Sequence, residues 1–312
     1  MWRPIAVRIV DSIPTLFLVL TLVFVAMRVL PGDPAIAVLG ENATAEQLEQ
    51  FRRKIGLDMP IWQQYLNFIV QSLTFSFGNS FANNFSVAQL VWLNLPYTIE
   101  LTIAATIIGT LLAIPLGVAA AVHRGKAIDS NSRIFSLIGY AVPDFFLGAV
   151  LLIVFALQLR WFPINGGGDG FVDRLWHLAL PALALGLIKA AFVSRLTRSS
   201  VLEVSRKDYV RTARAKGASE RRVIYRHALR NALMPIVTGL GLSILTTLSG
   251  SIAIELIFGR PGLGNMLIGA IETRDYPVVQ AGITVFSLFV VFLNLAMDII
   301  YTLIDPRVGD EA

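Results

Sequence analysis

Six stretches of this 312-residue chain are long and apolar enough to cross a bilayer, and no other feature narrows the possible folds so far. A helix rising 1.5 Å per residue needs ~20 mostly apolar residues to span the hydrocarbon core. Residues 9–30, 97–122, 134–159, 176–199, 232–258 and 278–304 meet that length. In lipid, backbone N–H and C=O groups have only each other as partners, so such stretches are read as helices. The expected fold is an all-α integral membrane protein with six transmembrane helices. Only 15% of residues are charged, against roughly 25% in soluble domains. Arg3 and Arg8 precede the first stretch, as in a secretory signal. Its apolar run exceeds the ~7–15 residues of a signal core, and no small-residue cleavage site follows, so it is read as a retained span.

Charge gives the orientation. Residues 195–230 hold eleven Lys/Arg against Glu203, Asp208 and Glu220, a net of +8. The whole chain is +5, so the remainder sums to −3. Basicity confined to one loop beside a span fits the positive-inside rule better than nucleic-acid binding. Seventeen Lys/Arg fall on the side of the termini and the basic loop and seven on the other, which places both termini in the cytoplasm. Residues 31–96 are then external. Thr44 with Gln47 three residues on reads as a capping box opening a short helix. Residues 61–73 carry Trp62, Tyr65 and Phe68 and read as an amphipathic helix lying on the bilayer or on neighbouring spans. The glycine-rich run 165–170 is an external loop.

Most catalytic chemistry is missing. There is no cysteine, no P-loop, and His123, His177 and His227 lack metal-ligand spacing. No metal site and no enzymatic centre are expected. Of the ionisable residues within spans, Arg28 can reach outward, Lys189 and Asp298 can reach the inner side, and Glu100 and Glu255 lie near outer ends. No pair sits at the midplane, which argues against an ion-coupled carrier.

The basic loop is organised. Good helix formers run from Asp208 to Lys216, Gly217 breaks the run, and Ser219 can cap a second helix that feeds the fifth span at Pro235. Here the sequence resembles the conserved cytoplasmic loop of ABC-transporter permeases. Arg211-Thr-Ala213 stands at the E-A-A positions and Gly217 at the glycine. The glutamate is missing, and His227-Ala-Leu-Arg230 replaces the usual I-x-L-P. The departure is that of the di/oligopeptide (peptide, nickel, opine) importers, in the type encoded first of their two permeases. Leu30-Pro-Gly-Asp-Pro34, Leu95-Pro-Tyr-Thr98, Glu255-x-x-Phe258, Pro261-Gly-Leu-Gly264 and Arg274-Asp-Tyr-Pro277 are similar to that family in the same order.

The resemblance implies a type I importer permease fold in a bacterial inner membrane. It divides the chain into 1–30 (N-terminus and first span), 31–96 (external), 97–304 (permease core, with a coupling loop at 200–231) and 305–312 (cytoplasmic tail). The implied partners are a homologous second permease, two ABC ATPase subunits, an external solute-binding protein and the lipid bilayer. ATP and magnesium would bind the ATPase subunits, with no cofactor in this chain. The coupling residues would be Tyr209, Arg211, Thr212, Ala213, Arg214, Ala215, Lys216, Gly217, His227 and Arg230. Ser243, Thr247, Ser251 and Glu255 are candidates for a translocation path, although small hydroxylic residues serve tight helix packing equally well. Pro261, Gly262, Gly264 and Asp275 are candidates for the external mouth. Dipeptides, oligopeptides, glutathione, nickel chelates and opines all fall within the family's solutes. An ATP-independent carrier or channel, and a scaffold binding anionic lipid, are the alternatives.

Overall fold

The apolar stretches read from the sequence become helices. The computed structural model of the protein describes residues 2–29, 33–40 and 42–304. Leu30-Pro-Gly32, within the expected motif 30–34, and the expected tail at 305–312 lie outside the described residues. Thirteen α-helices follow in order among the described residues: α1 (Trp2–Val29), α2 (Pro34–Leu39), α3 (Ala45–Lys54), α4 (Ile61–Thr74), α5 (Val87–Val122), α6 (Ala127–Ala141), α7 (Asp144–Leu151), α8 (Gly170–Val204), α9 (Asp208–Ala215), α10 (Glu220–Arg222), α11 (Arg230–Ile257), α12 (Leu263–Glu272) and α13 (Tyr276–Ile304). Two π-helical stretches extend them, Leu152–Gln158 after α7 and Val223–Leu229 between α10 and α11. Glu220–Ile257 is therefore one continuous helical rod. No strand occurs among the described residues, only a single bridge between Asn79 and Ser86.

Five of the six expected spans are single long helices, and the third is not. Residues 134–159 were read as one span, but α6 and the helix from Asp144 to Gln158 meet at 103°. The cause is local. A residue before proline is pushed out of the helical region, and Val142 before Pro143 is extended at φ −91°, ψ 122°. Pro115 and Pro181 sit inside α5 and α8 without interrupting them.

The chain divides into two compact units. The first comprises Thr98–Arg260 and the last helix from Leu293. Its centre is α8, buried along most of its length and packed by α6, α7 and α11. Apolar transfer contributes nothing between helices already in lipid, so close approach and polar ties must hold them. Both are present. A Cβ at Gly117 of α5 would stand 2.6 Å from the Ser194 carbonyl oxygen and 2.6 Å from Thr197 Cβ on α8. Lys189, expected to reach the inner side, is instead buried, and its Nζ donates to Thr106 Oγ1 on α5 at 2.6 Å. Arg198 donates to both oxygens of Asp129, at 2.5 and 3.0 Å, joining α8 to the start of α6.

The second unit comprises Trp2–Tyr97 and Pro261–Phe292. Leu20, Phe24, Phe68, Phe77, Val87 and Leu263 form part of its core. The capping box of α3 is present, with Thr44 Oγ1 accepting from the Gln47 amide and the Gln47 side chain accepting from the Thr44 amide. α4 presents the expected aromatics, Tyr65 and Phe68 against Phe24 and Trp62 outward. Asp33 caps α2 through the Ala35 amide at 2.8 Å and pairs with Arg52 of α3. Partial burial alone would raise the Asp33 carboxyl, but Arg52 and the Ala35 amide outweigh it and hold the group below the usual range.

Two outcomes follow. Gly117→Ala places a methyl against the α8 backbone and lowers the unfolding midpoint in detergent, at a cost of about 1–3 kcal/mol. A carboxyl depressed on folding stabilises above its unfolded pKa of about 3.9 and loses that contribution as pH falls through the folded value. The protection of α2 and α3 amides, taken relative to the intrinsic exchange rate at each pH, therefore falls below pH ~4 in the native protein, and Asp33→Asn, which carries no carboxyl to titrate, removes that acid-dependent step.

Candidate functional site

In the basic loop the chain folds as a helix–turn–helix. α9 begins after Lys207 and buries Val210, and it lies against the π-helical stretch, where Val223 and Ala228 are also fully buried. α9 ends in a Schellman turn. The Gly217 amide donates to the Arg214 carbonyl at 2.9 Å, and the Ala218 amide to that of Ala213 at 3.2 Å. The turn requires a left-handed residue, and Gly217 supplies it at φ +80°. A Cβ there would meet nothing within 4 Å, so conformation rather than space selects glycine.

The expected coupling residues separate into two groups. Tyr209, Arg211, Thr212, Ala215, Lys216 and Arg230 are exposed, whereas Ala213 and His227 are half-buried. Among the described residues Arg211 pairs only with Asp208, at 3.6 Å, with both side chains largely in solvent, a kind of pair that contributes little. Arg214 is committed within the loop. Its Nε and Nη2 donate to the Glu220 carboxylate at 2.7 and 3.4 Å, and its Nη1 to the Ser205 carbonyl at 3.4 Å. It thus closes the turn that Gly217 makes. Neither this pair nor the π-helical stretch was foreseen; Glu220, six residues after Arg214, was the only available signal. The Asn231 side chain donates to the His227 carbonyl at 2.6 Å, an acceptor inside the widened turns.

The path candidates share one face of α11. Ser243, Thr247 and Ser251 are buried, and each hydroxyl donates to a carbonyl of its own helix at 2.6–2.7 Å. Glu255 is fully buried and accepts from Thr98 Oγ1 at 2.6 Å. Exposed hydroxyls on α11 belong instead to Thr238, Thr246 and Ser249. In the second unit, Gly262 and Gly264 are buried at the start of α12 and Pro261 is half-buried. Asp275 accepts from the Phe81 amide at 3.0 Å, from the Ala82 amide at 3.3 Å, and from Ser80 Oγ. Among the described residues no cluster of His, Cys, Asp and Glu could hold a metal ion.

The order of these elements is also that of known transport proteins. Residues 113–310 match the family model for the binding-protein-dependent transport system inner membrane component, and residues 1–102 match the model for the N-terminal part of such components. The chain belongs to this family. Among its relatives, the di/tripeptide transport system permease of Pseudomonas aeruginosa (strain UCBPP-PA14) is 39% identical, covering 98% of each chain. The glutathione transport system permease of Escherichia coli (strain K12) is 40% identical, covering 96% of this chain and 97% of that one. An inward-facing structure of the MetNI methionine ABC transporter superposes with a TM-score of 0.57 over 70% of this chain and 97% of that chain, at 18% identity. The fold is thus that of the type I importers, and this protein is a permease subunit of an ABC importer. Such permeases are non-catalytic membrane subunits, and ATP hydrolysis lies on separate subunits.

If conformation selects Gly217, substitutions at this position of the permease rank by their tolerance of the left-handed region. Gly217→Asn is the mildest, Gly217→Ala costs about 1 kcal/mol, and Gly217→Val costs more. Hydrogen exchange of the 208–218 amides in detergent reads the order; equal protection in all three variants contradicts it.

Proposed function

We propose that this permease imports peptides or peptide-like solutes, forming half of a pathway with a homologous second permease, and that α9 is its seat on an ATPase subunit. In this reading the basic loop and both termini are cytoplasmic, residues 31–96 face an external solute-binding protein, and ATP and magnesium bind the ATPases. The solute class comes from the two relatives named for di/tripeptide and glutathione transport, each matched over nearly its whole length.

The observation that carries the coupling role is the contrast across α9. Its inner side is fixed by Val210, and its turn by Gly217 and Arg214, yet Tyr209, Arg211 and Lys216 are left in solvent. A short helix held this firmly transmits a push as a rigid body. Nucleotide can drive it only by changing the ATPase's affinity for two states of the permease. Ser243, Thr247, Ser251 and Glu255 line the path in this proposal only if the helices packed over them part in another state. Pro261, Gly262, Gly264 and Asp275 shape the external mouth.

Purification in mild detergent tests the reading. A second permease and ATPase chains are expected to accompany this subunit. Rearranging residues 208–216 at constant composition should abolish their association or their stimulated ATP hydrolysis by tenfold or more. A charge-only contact with anionic lipid would survive the rearrangement, and a self-sufficient carrier would transport without either partner.

A further inference from the structure

The unit containing α1, α3, α4 and the start of α13 encloses an open cavity of about 750 Å³. Small-molecule sites have volumes of ~300–1,000 Å³. The wall carries three cations, Arg28, Arg53 and Lys54, and no Asp or Glu. Arg28 is half-buried at the end of α1. Its Nε and Nη2 donate to Gln64 Oε1 at 3.2 and 2.6 Å, and its Cζ stands 4.0 Å from the centroid of the Phe24 ring. A neutral amide and a ring orient the guanidinium without cancelling its charge. Arg53 is paired with Glu49 in solvent, whereas Arg28 and Lys54 have no ion-pair partner among the described residues. The remaining wall offers the side-chain amides of Asn67 and Gln71 and the rings of Phe77 and Tyr276. Three cations, side-chain amides and aromatic rings around one cavity, with no carboxylate among them, suit a small molecule carrying both a carboxylate and an ammonium.

We propose that this cavity is a solute subsite, with Arg28 and Lys54 holding the carboxylate end of a peptide-sized molecule. The proposal rests on the import reading above, which places this unit's 31–96 segment outside. Arg28 supplies a preset, planar pair of donors, and the exposed Lys54 supplies a mobile charge. The amide oxygens of Asn67 and Gln71 and the ring faces receive the amino end.

The test uses the full chain with its partner subunits in nanodiscs of phosphatidylcholine, with no binding protein present. The probes are Ala-Ala and its C-terminal amide, and equilibrium binding and ATP hydrolysis are measured on the same discs. Ala-Ala should bind at least tenfold more tightly than the amide, and Lys54→Gln and Arg28→Gln should each weaken Ala-Ala by about tenfold. Lys54 is exposed, so its variant retains the fold even if Arg28→Gln, which loses the Gln64 contact, does not. Equal binding of acid and amide, or Lys54→Gln binding Ala-Ala as tightly as the parent, overturns the subsite while hydrolysis by the assembly leaves the import reading standing. Absence of ATPase chains from the preparation overturns the import reading itself. Failure of Ala-Ala to bind, with phosphatidylglycerol added to the discs protecting Lys54 from acetylation, assigns the cavity to a lipid headgroup and overturns the solute proposal.

Discussion

A peptide amide in hydrocarbon has no water to turn to, and everything else in this protein is arranged around that fact. Helices satisfy their own backbones, but once they do, lipid gives them no reason to prefer one another. The first unit answers with α8, against which α5 comes close enough that Gly117 has no room for a side chain. Polar ties then fix which helix lies where. The Lys189–Thr106 and Arg198–Asp129 contacts each join α8 to another helix, and each carries a buried partner that is costly to leave unpaired.

The basic loop follows a different logic because it works in water. Its ion pairs are exposed and contribute little by themselves. Its shape comes from backbone conformation, a left-handed glycine and two turn-closing hydrogen bonds, with Arg214 and Glu220 braced across the turn.

Much of the fold was legible because membrane spans are written as composition and length. The capping box at Thr44, the amphipathic α4 and the break at Gly217 were legible because each is a local signal. The third span misled for a complementary reason. Hydropathy over 134–159 is continuous, and only the geometry imposed on Val142 by Pro143 turns the chain by 103°. Lys189 misled because snorkelling toward water and pairing with Thr106 leave the same trace in sequence. At the candidate site the exposed residues could be read, but the commitment of Arg214 to Glu220 could not, since it depends on how the turn folds back. The hydroxyls of α11 looked equally suited to a conduit and to packing, and here they bond to their own helix.

Asp275 ties the start of the final helix to the backbone of Phe81 and Ala82, nearly two hundred residues earlier in the chain. A ribosome delivers residues 80–82 long before their carboxylate exists. During synthesis that loop must wait with its amides unclaimed while the intervening helices enter the bilayer. The closing of this unit therefore belongs to the last stage of biogenesis, and a chain truncated before Asp275 would leave the loop permanently open.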